Sequence, residues 1–79
     1  MKLFDLTRNA LINYGCIGND WRINILNVRK TGAYDWAVIE VEYYAPRKRK
    51  ATGYWCLRYN MARNLIDFND STHTLLRPV

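Results

Sequence analysis

From Asp35 to Tyr44 the chain contains neither Gly nor Pro and alternates between two faces: Ala37, Ile39, Val41 and Tyr43 on one, Trp36, Val38, Glu40, Glu42 and Tyr44 on the other. A period of two over that length is the signature of a half-buried strand. A second alternating run, Tyr54 to Met61, puts Trp55, Leu57, Tyr59 and Met61 on one face and Tyr54, Cys56, Arg58 and Asn60 on the other. Two such runs separated by a short basic segment predict an antiparallel hairpin. A register centred on Arg49 pairs Tyr43 with Trp55, Val41 with Leu57 and Ile39 with Tyr59, which joins the apolar faces. It also sets Glu40 opposite Arg58 and Tyr44 opposite Tyr54. A slip of one residue would turn every side chain to the wrong face.

The segments around this hairpin supply what covers it. Leu3, Leu6, Ala10, Leu11 and Tyr14 recur at spacings of three and four, so an amphipathic helix is expected over Leu3 to Tyr14. Asp5 and Thr7 are the candidate N-caps, and Gly15 stands where a left-handed C-terminal residue is wanted. Trp21 to Lys30 reads as a strand whose apolar phase changes near Ile25 and Leu26, the mark of a bulge, and Thr31-Gly32-Ala33-Tyr34 reads as a turn. Further on, Leu65, Ile66 and Phe68 suggest a short fourth strand or an irregular segment, with Asp70-Ser71-Thr72 as a turn and Leu75 and Leu76 packing ahead of Pro78. The expected fold is α+β, an N-terminal helix packed on a three- to four-stranded antiparallel meander, with residues 1–79 as a single domain.

Size and composition restrict function. A chain of 79 residues buries only roughly 60% of its unfolded surface, too little for a deep catalytic cleft within one subunit. Twelve Lys and Arg against seven Asp and Glu give a net charge of +5, which favours polyanionic partners. No apolar run approaches the roughly 20 residues of a membrane span, and Met1 to Arg8 lacks a signal-peptide core, so a cytoplasmic location is expected, host cytoplasm for a phage-encoded chain. Cys16 and Cys56 are expected to be reduced thiols.

Catalytic and metal chemistry find little support. Two Cys and one His cannot build a four-ligand zinc site. A nucleophile from Cys16 or Cys56 with His73 as base is arithmetically available, but the plainer reading is a partly buried thiol and a solvated histidine. Glu40 and Glu42 share a strand face, as acid-base pairs can, and so do the carboxylates of any solvated face. Gly15-Cys16-Ile17-Gly18 follows a helix, whereas phosphate-binding glycines open one. No cofactor, metal or small-molecule substrate is expected.

The remaining constellation is Arg47-Lys48-Arg49-Lys50, which concentrates four of the twelve cations in the hairpin loop. Tyr44 and Tyr54 flank it. Cations for phosphates and rings for bases are what single-stranded nucleic acid or an RNA loop requires. A loop kept charged for solubility is the competing explanation. Gly53-Tyr54-Trp55-Cys56-Leu57-Arg58-Tyr59 partly resembles the central-strand signature of RNA-recognition motifs, but Trp55 stands at its small-residue position and Cys56 at its second stacking aromatic. No family is assigned on that match.

The expected function is a non-enzymatic basic binding module that engages nucleic acid or a nucleoprotein complex through the hairpin loop. Its contact residues are Arg47, Lys48, Arg49, Lys50, Tyr44, Tyr54, Arg58 and Trp36. The alternative is a small phage or mobile-element inhibitor, similar in genre to anti-CRISPR proteins, that blocks a host complex by protein contact. Glu40 and Glu42 confine nucleic acid to the loop tip and the Tyr44 and Tyr54 end of the sheet, whereas a protein partner would tolerate the mixed charges better.

Overall fold

A computed structural model describes residues 2–76. Helix α1 spans Leu3–Tyr14, and four strands follow in order: β1 (Arg22–Lys30), β2 (Trp36–Tyr44), β3 (Gly53–Asn60) and β4 (Leu65–Leu75). They form one antiparallel sheet in the sequential order β1-β2-β3-β4, the expected meander with its helix on one face. No helix among the described residues is long and apolar enough to cross a membrane.

The helix starts earlier than either candidate cap. Lys2 is the N-cap residue and offers no side-chain bond. Leu3 and Leu6 pack on the core, so the apolar stripe carries the helix upstream of Asp5 and Thr7. Thr7 instead lies on the stripe itself, fully buried, and its hydroxyl donates to the Leu3 carbonyl at 2.8 Å. That local bond satisfies the only polar atom of the side chain and lets it behave as a core residue. Gly15 ends the helix as expected, at φ 87°, with its N–H on the Ile12 carbonyl.

The hairpin β2–β3 forms with the expected faces but a different register. Tyr43 pairs with Gly53, Val41 with Trp55, Ile39 with Leu57 and Ala37 with Tyr59, a slip of two residues from the pairing centred on Arg49. Glu40 therefore faces Cys56, Arg58 faces Val38, and Tyr54 faces Glu42. Because side chains repeat every two residues, a two-residue slip leaves both faces intact, and alternation alone cannot choose between the registers. Gly53 makes the choice. A Cβ there would sit 2.1 Å from the Tyr43 hydroxyl oxygen, so the ring of Tyr43 crosses β3 through the space that glycine leaves open. Beyond it the Tyr43 hydroxyl meets His73 Nε2 on β4 at 2.7 Å, and His73 stacks on Trp55 with ring centroids 4.3 Å apart. Burial holds the His73 imidazole below its usual pKa and so favours the neutral ring, whose Nε2 shares the hydrogen bond with the Tyr43 hydroxyl. In the expected register Tyr43 would have met the bulk of Trp55.

The edges are less regular. The phase change in β1 is a bulge between Ile25 and Asn27, where Leu26 is the extra residue. β4 is longer than a short strand and includes Asp70-Ser71-Thr72, a triplet with the composition of a turn. Those residues sit in a wide irregularity: Cys56 pairs with Thr72, whereas Arg58 pairs with Asp67. There the Ser71 hydroxyl accepts from the Arg58 N–H at 2.9 Å and donates to the Asp67 carbonyl at 2.6 Å, replacing ladder bonds the bulge removes. Phe68, in the same bulge, stacks on Tyr14 at 4.0 Å and meets Trp55 edge-on, closing the end of the core. Leu75 and Leu76 remain largely exposed rather than packing, and Pro78 lies outside the described residues. Cys16 packs on the core beside the inner face while Cys56 points from the outer face, and both are free thiols.

Replacing Gly53 with Ala is expected to displace Tyr43 and cost about 1–3 kcal/mol in a urea melt. Gly32→Ala, where nothing lies within 4 Å of the new Cβ, is the control and should change stability little. Equal costs for the two variants would refute the part assigned to Gly53.

Candidate nucleic-acid interface

The β2–β3 loop is built by its own chemistry. Thr52 replaces a strand residue at its base: its N–H donates to the Tyr43 carbonyl at 2.8 Å and its hydroxyl accepts from the Ala45 N–H at 3.0 Å. The next turn is Ala45-Pro46-Arg47-Lys48, closed by the Lys48 N–H on the Ala45 carbonyl at 3.1 Å. Proline at its second position and a positive φ of 65° at Arg47 are the pattern of a type II turn, which normally puts glycine where Arg47 stands. Arg47, Lys48, Arg49 and Lys50 are all exposed, and among the described residues none of them forms an ion pair.

One side chain fastens this loop to the sheet. Arg22, the first residue of β1, pairs with Tyr44 across the sheet. Its guanidinium lies 4.8 Å from the Tyr44 ring centroid and donates to the Lys48 carbonyl at 2.7 Å. A guanidinium has five N–H donors, so the bond to Lys48 commits only one. From the helix, Arg8 donates to the carbonyls of Asn19 and Trp21, tying the helix to the start of β1. Arg8, Arg22 and Arg49 line a single open groove of about 610 Å³. Phe4, Trp21 and Tyr44 supply its aromatic surface, and Ile23 and Asn24 complete it. Since Arg22 and Ile23 point to opposite faces of the sheet, the groove wraps around the beginning of the β1 edge.

The glutamates of the outer face have local partners. Glu42 accepts from the Asn24 amide at 3.1 Å and from the Tyr44 hydroxyl, and Glu40 pairs with Arg29 at 3.5 Å. The Tyr44 bond to Glu42 raises the phenol's pKa above its ordinary value. The Tyr54 phenol is pushed up to about 12, first by its hydrogen bond with Cys56 and then by burial. Both phenols thus stay neutral at physiological pH and add no negative charge beside the loop.

Of the eight residues expected to make the site, the fold brings five together: Arg47, Lys48, Arg49, Lys50 and Tyr44 share one end of the sheet. Tyr54 is not opposite Tyr44, because the two-residue slip moves it inward to face Glu42. Arg58 and Trp36 sit at the other end, where the Arg58 guanidinium lies 4.6 Å over the Trp36 ring. Trp36 and Tyr44 begin and end β2, roughly 27 Å apart at about 3.4 Å per residue. One ligand contact cannot cover both ends.

Arg8, Trp21, Arg22 and Asn24 line the groove although no motif in the sequence singles them out. A signal for Arg22 does exist: counting the β1–β2 pairing back from the Thr31–Tyr34 turn through the bulge at Leu26 brings Arg22 to Tyr44. Arg8 comes from the helix and has no comparable signal. Among the described residues there is no group of three or more His, Cys, Asp or Glu side chains placed to hold a metal ion.

The arrangement defines a class: a small α+β domain with a cationic, aromatic groove beside a basic hairpin loop. No protein-family model matches the chain, and neither a curated protein nor a solved structure matches it.

Two substitutions that each remove one charge from this end are expected to act differently on stability. Arg22→Ala loses the Tyr44 stack and the bond to Lys48 and should cost about 1 kcal/mol. Arg47→Gly relieves a left-handed backbone that costs a side-chain residue about 1 kcal/mol, so its thermal midpoint should hold or rise. Matching shifts for the two would refute the anchoring of the loop by Arg22.

Proposed function

We propose that this protein is a small, non-enzymatic basic module that engages nucleic acid, or a complex already carrying it, through the β2–β3 loop and the groove beside it. The convergence of Arg8, Arg22 and Arg49 on one groove with Trp21 and Tyr44 carries the reading. A loop kept charged only for solubility has no need to be fastened to a second cation, and like charges brought together cost energy that an anionic partner offsets. Glu42 adjoins the groove through its bonds with Asn24 and Tyr44, and Glu40, paired with Arg29, lies beyond it and limits the footprint. We infer a cytoplasmic setting, or a host's cytoplasm for a phage-encoded chain, in which the two free thiols stay reduced.

A second reading, a small inhibitor or adaptor that occupies another protein's surface, draws on the opposite end of the sheet. There the Arg58 guanidinium stacks on the Trp36 ring. Trp and Arg dominate protein-binding hot spots.

Binding to generic DNA and RNA across a salt series separates the two. On the first reading log affinity falls steeply with log salt, and replacing residues 47–50 with Ala flattens the slope by roughly 0.7–0.9 for each phosphate that the loop no longer neutralises. No binding at low salt would overturn the nucleic-acid reading and is the outcome expected of the inhibitor.

A further inference from the structure

The groove contains more than a phosphate clamp needs. Trp21 is held from two sides: its ring lies 5.8 Å from that of Tyr43, tilted by 42°, and a Cβ on Gly18 would come within 3.3 Å of the indole. Around the β1 edge, on the outer face, Tyr44 is fixed by Arg22 over its ring and by Glu42 at its hydroxyl. The aromatic surfaces are thus positioned before any ligand arrives. Asn24 spends its amide N–H on Glu42, which leaves its carbonyl oxygen as an acceptor in the groove. The groove, about 610 Å³, is open to solvent and sets the Trp21 ring beside Arg22 and Arg49.

Resting on the nucleic-acid reading, we propose that this groove takes one unpaired base of a single strand, stacked on Trp21, with the flanking phosphates on Arg22 and Arg49. Aromatic faces accept any base, so the site selects strandedness over sequence. A duplex keeps its bases stacked inside and offers the groove nothing but phosphate. A duplex lying across the sheet also meets Glu40 and Glu42, whereas a single strand can follow the groove around the start of β1. Phosphate gripping alone predicts the opposite preference, because duplex DNA carries the denser charge.

The test uses the unmodified protein at low salt and measures fluorescence anisotropy with labelled oligonucleotides of equal length, in DNA and in RNA form. One set is an intact single strand, the other carries a run of abasic sites with the same phosphates. The intact strand is expected to bind roughly fivefold to a hundredfold more tightly, the range that stacking of one base supplies. Trp21→Leu should bring the intact strand down to the abasic strand's affinity and leave the abasic strand unchanged. Arg49→Ala should weaken both. Equal affinity for intact and abasic strands would overturn base capture while leaving phosphate binding by the loop in place. Absence of binding to either strand would overturn base capture and the nucleic-acid reading together.

Discussion

The ring of Tyr43, laid across Gly53 to reach His73, ties three strands with one side chain. β2 contributes the ring, β3 the gap it passes through and β4 the hydrogen-bond partner at its end. Register in an antiparallel pair is set within one residue by the hydrophobic faces, but a shift of two leaves those faces unchanged. Only a feature that distinguishes one inward position from the next can fix it. Here that feature is the missing side chain at position 53. With Tyr43 opposite Gly53, Trp55 falls opposite Val41 and is free to stack on His73 and to meet Phe68 and Tyr14 edge-on. The aromatic end of the core is a consequence of the register.

The basic end depends on it as well. Moving the pairing by two residues shortens one side of the loop and lengthens the other, and with that it decides where the cations lie relative to Tyr44. In the register adopted, Thr52 closes the base of the loop on Tyr43 and Ala45, and the Lys48 carbonyl comes within reach of Arg22. Arg22 is itself opposite Tyr44 because β1 takes up an extra residue at Leu26. Two local irregularities, a glycine gap and a bulge, therefore bring cations from the helix, the first strand and the loop to one groove. The outer face of the sheet divides accordingly: cationic and aromatic at the loop end, acidic but internally paired in the middle, and an Arg58–Trp36 stack at the far end.

The helix, its glycine terminus, the bulge and the meander are legible in the sequence because each rests on a local pattern: period 3.6, period two, or a residue with special backbone freedom. What is not legible rests on contacts between distant segments. The expected hairpin register is wrong by two residues because alternation satisfies both registers, and only the small size of Gly53 against the bulk of Tyr43 separates them. The expected N-cap is wrong because Thr7, polar by composition, lies on the apolar stripe with its hydroxyl satisfied by its own helix. The tail is obscured because Asp67 and Ser71 replace ladder bonds with bonds of their own, so a strand carries the composition of a turn. The cation run is plain in the sequence. Its neighbours in space, Arg8, Trp21 and Arg22, are not, since they come from other elements.

The central claim is that the protein meets nucleic acid at one end of its sheet. The most direct measurement is a ¹H–¹⁵N NMR titration of the protein with a short single-stranded oligonucleotide, following backbone amides together with the Trp indole and Arg side-chain signals. The account predicts shifts confined to the Trp21 indole, the Arg22, Asn24 and Tyr44 amides and the residues 47–50, with the Trp36 indole and the Arg58 side chain unmoved. Shifts centred on Trp36 and Arg58, or spread evenly over the outer face, would contradict it.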